Sequence, residues 1–366
     1  MAITVTIRDD RAFTLSWSEA TGAIGDSVTV LPIVVSVAVL TDLSLALMLV
    51  WFGIFQIVWG FYYRAPISVE PMKAVAALVI AGSITTGELL VAGLLLGVVL
   101  LTIGTTGSLE RFGQYIGSPV VRGIQFGVAL VLVETGIRLG STNLQLAALA
   151  AVVAAVLIAL GYWNMSGFVV LLLGGALAVL STGLPSPSLP PTDSMALFGS
   201  GNLTLSALEA AVAQLAMTLG NAALATSVLL ADYFDRDVSA DDLSTSMGFM
   251  NLIAIPFGAL PMCHGSGGVA GKYAFGARTV GANVILGLGY VTVALLAVEI
   301  VNAYPVAMLG IILALIALQL GRTSIEKADE YPLVIGIGIL GLLVNLGVAF
   351  VVGIVAHIFV RRYDLW

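Results

Sequence analysis

Apolar stretches long enough to cross a bilayer follow one another along almost the whole chain, separated by short polar joints. A spanning helix takes about 20 residues, so a chain of this length holds at most roughly fourteen. Soluble domains carry about 25% charged residues; here 10% of the 366 residues are charged and 59% are hydrophobic. No single aqueous core hides that much apolar surface, so the expected class is an all-α membrane protein. Apolar runs between polar breaks put the spans at 21–40, 43–62, 71–83, 87–106, 119–138, 143–161, 163–182, 204–231, 243–256, 265–275, 281–301, 305–320, 331–344 and 346–361. The third and tenth are too short to cross about 30 Å of hydrocarbon as helix alone.

The same composition excludes several function classes. Net charge is -7 with the basic residues scattered, which leaves no footprint for nucleic acid. The single cysteine, Cys263, excludes an intramolecular disulfide framework and a multi-cysteine metal site, and no cofactor or metal is expected. The first fifteen residues lack the basic and apolar regions of a cleaved signal, so the spans themselves direct insertion. Cytoplasmic loops carry an excess of Lys and Arg. With both termini cytoplasmic and fourteen crossings, Arg8, Arg11, Arg64, Arg111, Arg122, Arg236, Lys272, Arg278, Arg322, Lys327, Arg361 and Arg362 fall at the inner face. Arg138 falls at the outer end, Lys73 lies within the membrane, and the connection 183–203, free of basic residues, faces outside.

The chain also repeats itself. Pro66-Ile-Ser-Val-Glu-Pro71-Met72 and Pro256-Phe-Gly-Ala-Leu-Pro261-Met262 share the pattern P-x4-P-M at an offset of 190 residues, each just before a short span. Pro119-Val120 and Pro305-Val306 likewise open a matching pair of spans. This divides the chain into 1–190 and 191–366, seven spans each, and an odd number of crossings makes the second copy inverted. Two prolines five residues apart keep the backbone extended, so the third and tenth spans become broken elements: an extended approach to mid-membrane, then a half-helix. Their N-termini would meet near the midplane, each offering free amides and roughly half a positive charge, an anion site.

Candidate ligands cluster at those two points. Met72, Lys73 and Ala74 open the first half-helix; Lys73 answers either a bound anion or Glu70 three residues earlier. Cys263, His264, Gly265, Ser266, Gly267 and Gly268 open the second, with glycines that allow close backbone approach and a hydroxyl to donate. His264 reads as an oxyanion donor, a proton carrier or a satisfied structural histidine, and Cys263 as packing. Asp26 reads as a proton carrier or a partner of the lysine, and Glu70, a second carboxylate beside the site, as a further candidate for proton coupling. Gln214 and Asn221, seven apart on one face of the eighth span, are neutral donors or interhelical glue. Glu134 and Arg138, four apart, are expected to pair with each other, and Asp232 to Asp242 reads as a solvated loop.

The motifs Gly22-x-x-Gly25-Asp26-x-x-Thr29-x-x-Pro32, Pro66-x4-Pro71-Met72-Lys73-Ala74, Leu219-Gly220-Asn221 and PMCHGSGGVAGKYAFGART from Pro261 to Thr279 resemble the molybdate transporter family, relatives of the sulfate permeases with a uracil-permease-like inverted-repeat fold. The resemblance implies a core domain of spans 1–4 and 8–11 moving against a gate domain of spans 5–7 and 12–14, with the oxyanion between spans 3 and 10. Glu70 stands where the family pattern carries Gln, and no soluble C-terminal domain is expected after Arg362. The function expected is a secondary active transporter importing a tetrahedral oxyanion, molybdate first, by alternating access, with a proton as candidate coupling ion and a homodimer as candidate assembly. Sulfate transport or an anion channel on the same scaffold is the alternative. An intramembrane enzyme built on Cys263 and His264 ranks last, because adjacent helical residues point about 100° apart.

Overall fold

The computed structural model describes residues 3–5, 13–109, 117–187, 203–296 and 298–363. Arg8, Arg11, Arg111 and most of the 183–203 connection lie outside them. Every apolar segment read from the sequence carries one helical element. These are α1 (Trp17–Leu40), α2 (Leu45–Tyr63), α3 (Lys73–Ala81), α4 (Thr86–Thr105), α5 (Ser118–Gly140), α6 (Leu144–Ala159) and α7 (Trp163–Thr182). Then come α8 (Leu205–Phe234), α9 (Ala240–Ala254), α10 (Ser266–Ala274), α11 (Gly281–Leu296), α12 (Val306–Glu326), α13 (Tyr331–Leu343) and α14 (Leu346–Tyr363). Seven of them are long and apolar enough to cross a membrane by length and composition. Two strand pairs complete the architecture: β1 (Ile3–Val5) with β2 (Phe13–Leu15), and β3 (Glu70–Pro71) with β4 (Met262–Cys263), both antiparallel.

Local chemistry sets the boundaries. Ser44, Asn143, Thr204 and Ser239 each cap a helix N-terminus with a side-chain oxygen, and Thr85 with Glu88 closes a reciprocal capping box. Two expectations shift. The eighth span continues as helix to Phe234 and α9 begins at Ala240, so Asp232, Asp241 and Asp242 belong to helices rather than to a loop. The eleventh is helical over Gly281–Leu296 and Val298–Asn302, the described parts of its apolar run. The twelfth runs on to Glu326, which places Arg322 within it, ion-paired to Glu326 one turn away.

Packing is inside-out relative to a soluble protein at the periphery. Helix α6 buries Ala147, Ala150 and Ala154 while Leu149, Val152 and Val156 face outward, as lipid contact demands. Small residues let the central helices approach: where α5 crosses α12, a methyl on Gly136 would meet the Gly310 carbonyl at 2.7 Å, and one on Gly310 the Gly136 carbonyl at 2.5 Å. Helix contacts come in exchanged pairs. Helix α1 lies on α10 as α8 lies on α3, α2 on α11 as α9 on α4, and α5 on α14 as α12 on α7.

Candidate functional site

The site grows from two interruptions. Helix α2 stops at Tyr63 with Arg64 in the left-handed region, φ 53°, and Pro66 and Pro71 hold the following stretch extended until α3 begins at Lys73. Helix α9 stops at Ala254, a short turn over Ile255–Phe257 follows, and the chain runs extended to Ser266. The extended stretches meet as β3 and β4, with Glu70 opposite Cys263, Pro71 opposite Met262, and the Met72 amide donating to the Pro261 carbonyl at 2.9 Å.

Buried extended backbone needs partners, and polar side chains from the neighbouring helices supply them. Gln56 donates to the Val69 carbonyl at 3.1 Å. Asn251 brackets Met262, donating to its carbonyl at 2.6 Å and accepting from its amide at 2.7 Å. Helices α3 and α10 are nine residues each, so each rises about 13 Å at 1.5 Å per residue, less than half a bilayer core.

The amide ends of both short helices are engaged by side chains of the protein itself. At α3 the Gln214 carbonyl oxygen accepts from the amides of Ala74 at 2.8 Å and Val75 at 3.4 Å, while its amide nitrogen donates to Thr218 at 2.9 Å. Gln214 was expected to donate toward a guest; here its oxygen caps the helix. At α10 the Glu70 carboxylate accepts from the Gly268 amide at 2.6 Å, and its other oxygen pairs with the Lys73 ammonium at 2.7 Å. Lys73 thus forms the ion pair with Glu70 that its spacing allows. Ser266 donates to the Asn221 side-chain carbonyl at 2.7 Å. Asn221 sits in a widened π-helical turn over Thr218–Ala225, a local unwinding common at functional sites. The cluster opens outward through Gly267, which is exposed, and through Ser266, Asn221 and Lys73, which are half-buried; Met72 is buried beneath it.

Glycine at 265 and 268 is a steric requirement of this arrangement. A methyl on Gly265 would land on the Glu70 carboxyl group, and one on Gly268 on Asp26 and Ser68. Gly267 has open space, its nearest neighbour being Glu70 Oε1 at 3.9 Å.

Two residues expected beside an anion are structural. His264 is fully buried, its Nε2 2.7 Å from the Ser246 hydroxyl and its Nδ1 3.0 Å from the Ser68 carbonyl, so both ring nitrogens have partners inside the fold. Cys263 is buried with Sγ 4.0 Å from the Pro71 carbonyl.

Lys272 was expected at the inner face and instead lies fully buried against Asp26. Cβ atoms of a helix tilt toward its N-terminus, so a lysine late in α10 sends its ammonium back into the protein. There Nζ is 3.1 Å from the Asp26 carboxylate and donates to Gln56 at 2.9 Å, to the Ile67 carbonyl at 2.6 Å and to Asn283 at 2.9 Å. Asp26 also accepts from Gln56 at 2.8 Å and Ser68 at 2.6 Å. Its lysine partner is therefore Lys272, not Lys73. The sequence signal for this network was present in Gln56 and Asn283, single polar residues in otherwise apolar runs.

Two cavities lie between α5 and α8. One of about 360 Å³ is bounded by the end of α3, the start of α8 and the end of α5, with Glu134, Arg138 and Glu209 in its wall. The Glu134–Arg138 ion pair is not formed among the described residues; Arg138 donates to the Ala81 carbonyl at the end of α3, 3.0 Å away. The other, about 180 Å³, lies between the first turns of α5, with Val121 and Arg122, and the widened turn of α8, with Leu219, Gly220 and Leu224.

A family model described as "Molybdate transporter of MFS superfamily" matches residues 18–132 and 206–320, well over half of the chain. Among curated proteins, Molybdate transporter 2 of Arabidopsis thaliana is 28% identical over 87% of this chain and 82% of its own length. Molybdate transporter 1 of the same plant is 26% identical over 98% and 91%. Among solved structures, the transmembrane domain of the cyanobacterium bicarbonate transporter BicA superposes with a TM-score of 0.68 at 16% identity, covering 96% of this chain and 99% of that one. The murine anion transporter Slc26a9 in its inward-facing state gives 0.67 at 14% identity, over 98% and 70%. The helical fold is therefore that of BicA and Slc26a9, and the chain, an integral membrane protein, belongs to the molybdate transporter family.

Proposed function

We propose that this protein is a secondary active transporter that imports a tetrahedral oxyanion, molybdate first, by alternating access. One observation carries the reading: two nine-residue helices start side by side from the β3–β4 pair, with amide ends, a lysine and a serine gathered at an opening between them. In a low-dielectric interior such ends bind anions without a surplus of cationic side chains. The guest would contact Lys73, Ser266, Asn221 and the backbone at Ala74 and Gly267. The paired helix contacts and the two family-model matches of equal length support an inverted repeat, 1–190 and 191–366, of seven spans each. In this reading α1–α4 and α8–α11 form the moving core and α5–α7 and α12–α14 the gate, with both termini cytoplasmic.

Uptake of labelled molybdate into proteoliposomes, with sulfate as competitor, tests the proposal. Accumulation above the external concentration under an imposed gradient is the expected result. Uptake that only equilibrates would make the protein a channel. Sulfate taken up in preference to molybdate would reassign the substrate, and no flux of either ion would overturn oxyanion transport altogether.

A further inference from the structure

The position that a guest anion needs at the start of α10 is held by the protein's own carboxylate. Glu70 reaches across from β3, accepts from the Gly268 amide at 2.6 Å and pairs with Lys73 at 2.7 Å, while remaining 1% exposed. The glycines at 265 and 268 leave room for that carboxyl group. Four charged groups meet here, Asp26, Glu70, Lys73 and Lys272, and they sum to zero. A dianion entering this buried set would leave two uncompensated negative charges in low dielectric, which is strongly unfavourable. Lys272 gives no relief, because its ammonium is already committed to Asp26, Gln56, Ile67 and Asn283.

Resting on the oxyanion reading above, we propose that Glu70 is the resident anion of the site, that an incoming oxyanion displaces its carboxylate from Lys73 and the Gly268 amide, and that Glu70 takes up one proton from solvent as it is displaced. The oxyanion then inherits both donors. The proton stays on Glu70 while the site is filled and leaves when the oxyanion does, so no net proton is stored. The titratable and charged groups facing Glu70 are Lys73 on α3, Asp26 on α1, Lys272 on α10, Cys263 on β4 and Tyr290 on α11. Asp26 keeps its own lysine throughout, which leaves Glu70 as the carboxylate whose partner the guest takes.

Calorimetric titration of the detergent-solubilised protein with sodium molybdate and with sodium sulfate, in buffers of different ionisation enthalpy between pH 6 and 8, tests this. One proton taken up per bound oxyanion is expected, with apparent Kd weakening about tenfold per unit rise in pH. Glu70→Gln is expected to bind with no proton uptake and no pH dependence. Binding to the wild-type protein without proton uptake overturns the proposal while leaving the oxyanion reading intact. A Glu70→Gln variant that retains the wild-type pH dependence overturns it likewise. If neither ion binds the wild-type protein at any pH, the oxyanion reading fails and takes this proposal with it. The wild-type measurement decides even if the variant does not fold.

Discussion

Replacing Lys272 by methionine keeps most of the side-chain volume and removes one charge from a place with no solvent. Asp26 and Lys272 are both fully buried and 3.1 Å apart. Removing one partner of a buried pair typically costs about 3–5 kcal/mol, because the other charge is left uncompensated. The other acceptors of the ammonium push the loss toward the upper end of that range. The Ile67 carbonyl keeps the Asn283 amide at 2.8 Å and Asp26 keeps Gln56 and Ser68, whereas the Asn283 side-chain carbonyl loses its donor and Gln56 retains only a long 3.3 Å contact. At roughly 2 °C per kcal/mol for a chain of this size, Lys272→Met should melt about 6–10 °C below wild type. Tryptophan fluorescence of the purified protein in detergent reports the transition, at a fixed scan rate because unfolding of such proteins is commonly irreversible. Asp26→Asn with Lys272→Met removes the orphaned charge and should recover most of the loss. A Lys272→Met midpoint within about 1 °C of wild type, or a double variant less stable than the single one, would refute the argument that the pair is held by mutual neutralisation.

The other predictions concern the opening between the short helices. Lys73→Ala should weaken oxyanion binding roughly tenfold or more, as the loss of a charge-assisted contact implies, whereas Arg138→Ala, which removes a bond to the end of α3, should leave affinity unchanged; calorimetry in detergent separates them. Gly267→Ala should fold with an unaltered melting midpoint but transport poorly, since its methyl would project into the mouth of the site; Gly289→Ala, with open space and away from the site, is the control, and equal uptake by the two would remove Gly267 from the pathway. His264→Leu should lower stability by about 1–3 kcal/mol by stranding the Ser68 carbonyl, the Ser246 hydroxyl keeping the Leu243 carbonyl, with oxyanion affinity preserved; a lost affinity in a folded variant would return His264 to the site.

How much of this was legible in the sequence follows from the range of the interactions. Helix positions came through well because lipid makes every span declare itself as an apolar run and because caps such as Thr85 and Ser239 are local; α7 occupies the same residues, 163–182, that its apolar run delimits. The two interruptions were equally visible, since paired prolines five residues apart, Pro66 with Pro71 and Pro256 with Pro261, remove amide donors and disfavour helix between them, which the lone Pro32 inside α1 does not. What failed was partner choice. The spacing of Glu134 and Arg138 favours a pair, but it does not include the Ala81 carbonyl that α3 brings within 3.0 Å. Lys272 reads as an inner-face charge because sequence gives its depth along α10 and not the direction of its side chain. For Gln214 the chemistry was right and its sense reversed, since an amide offers a donor and an acceptor and only the fold decides which end meets α3.

If the two halves form the inverted repeat proposed above, their chemistry at the short helices is unequal. Helices α3 and α10 have exchanged contacts, α3 lying on α8 and α10 on α1. Yet α3 is capped by a neutral amide, Gln214, whose withdrawal would leave no charge behind, whereas α10 is capped by Glu70, a carboxylate with its own counter-ion. The two ends therefore respond differently to a guest. At α3 an oxyanion competes with a weak neutral acceptor, and the outcome depends on geometry. At α10 it competes with a charge, and the outcome depends on how that charge is neutralised. On the proposed reading, the Glu70–Lys73 pair would make the α10 end the proton-sensitive one, and coupling between anion and proton would be set there rather than at α3.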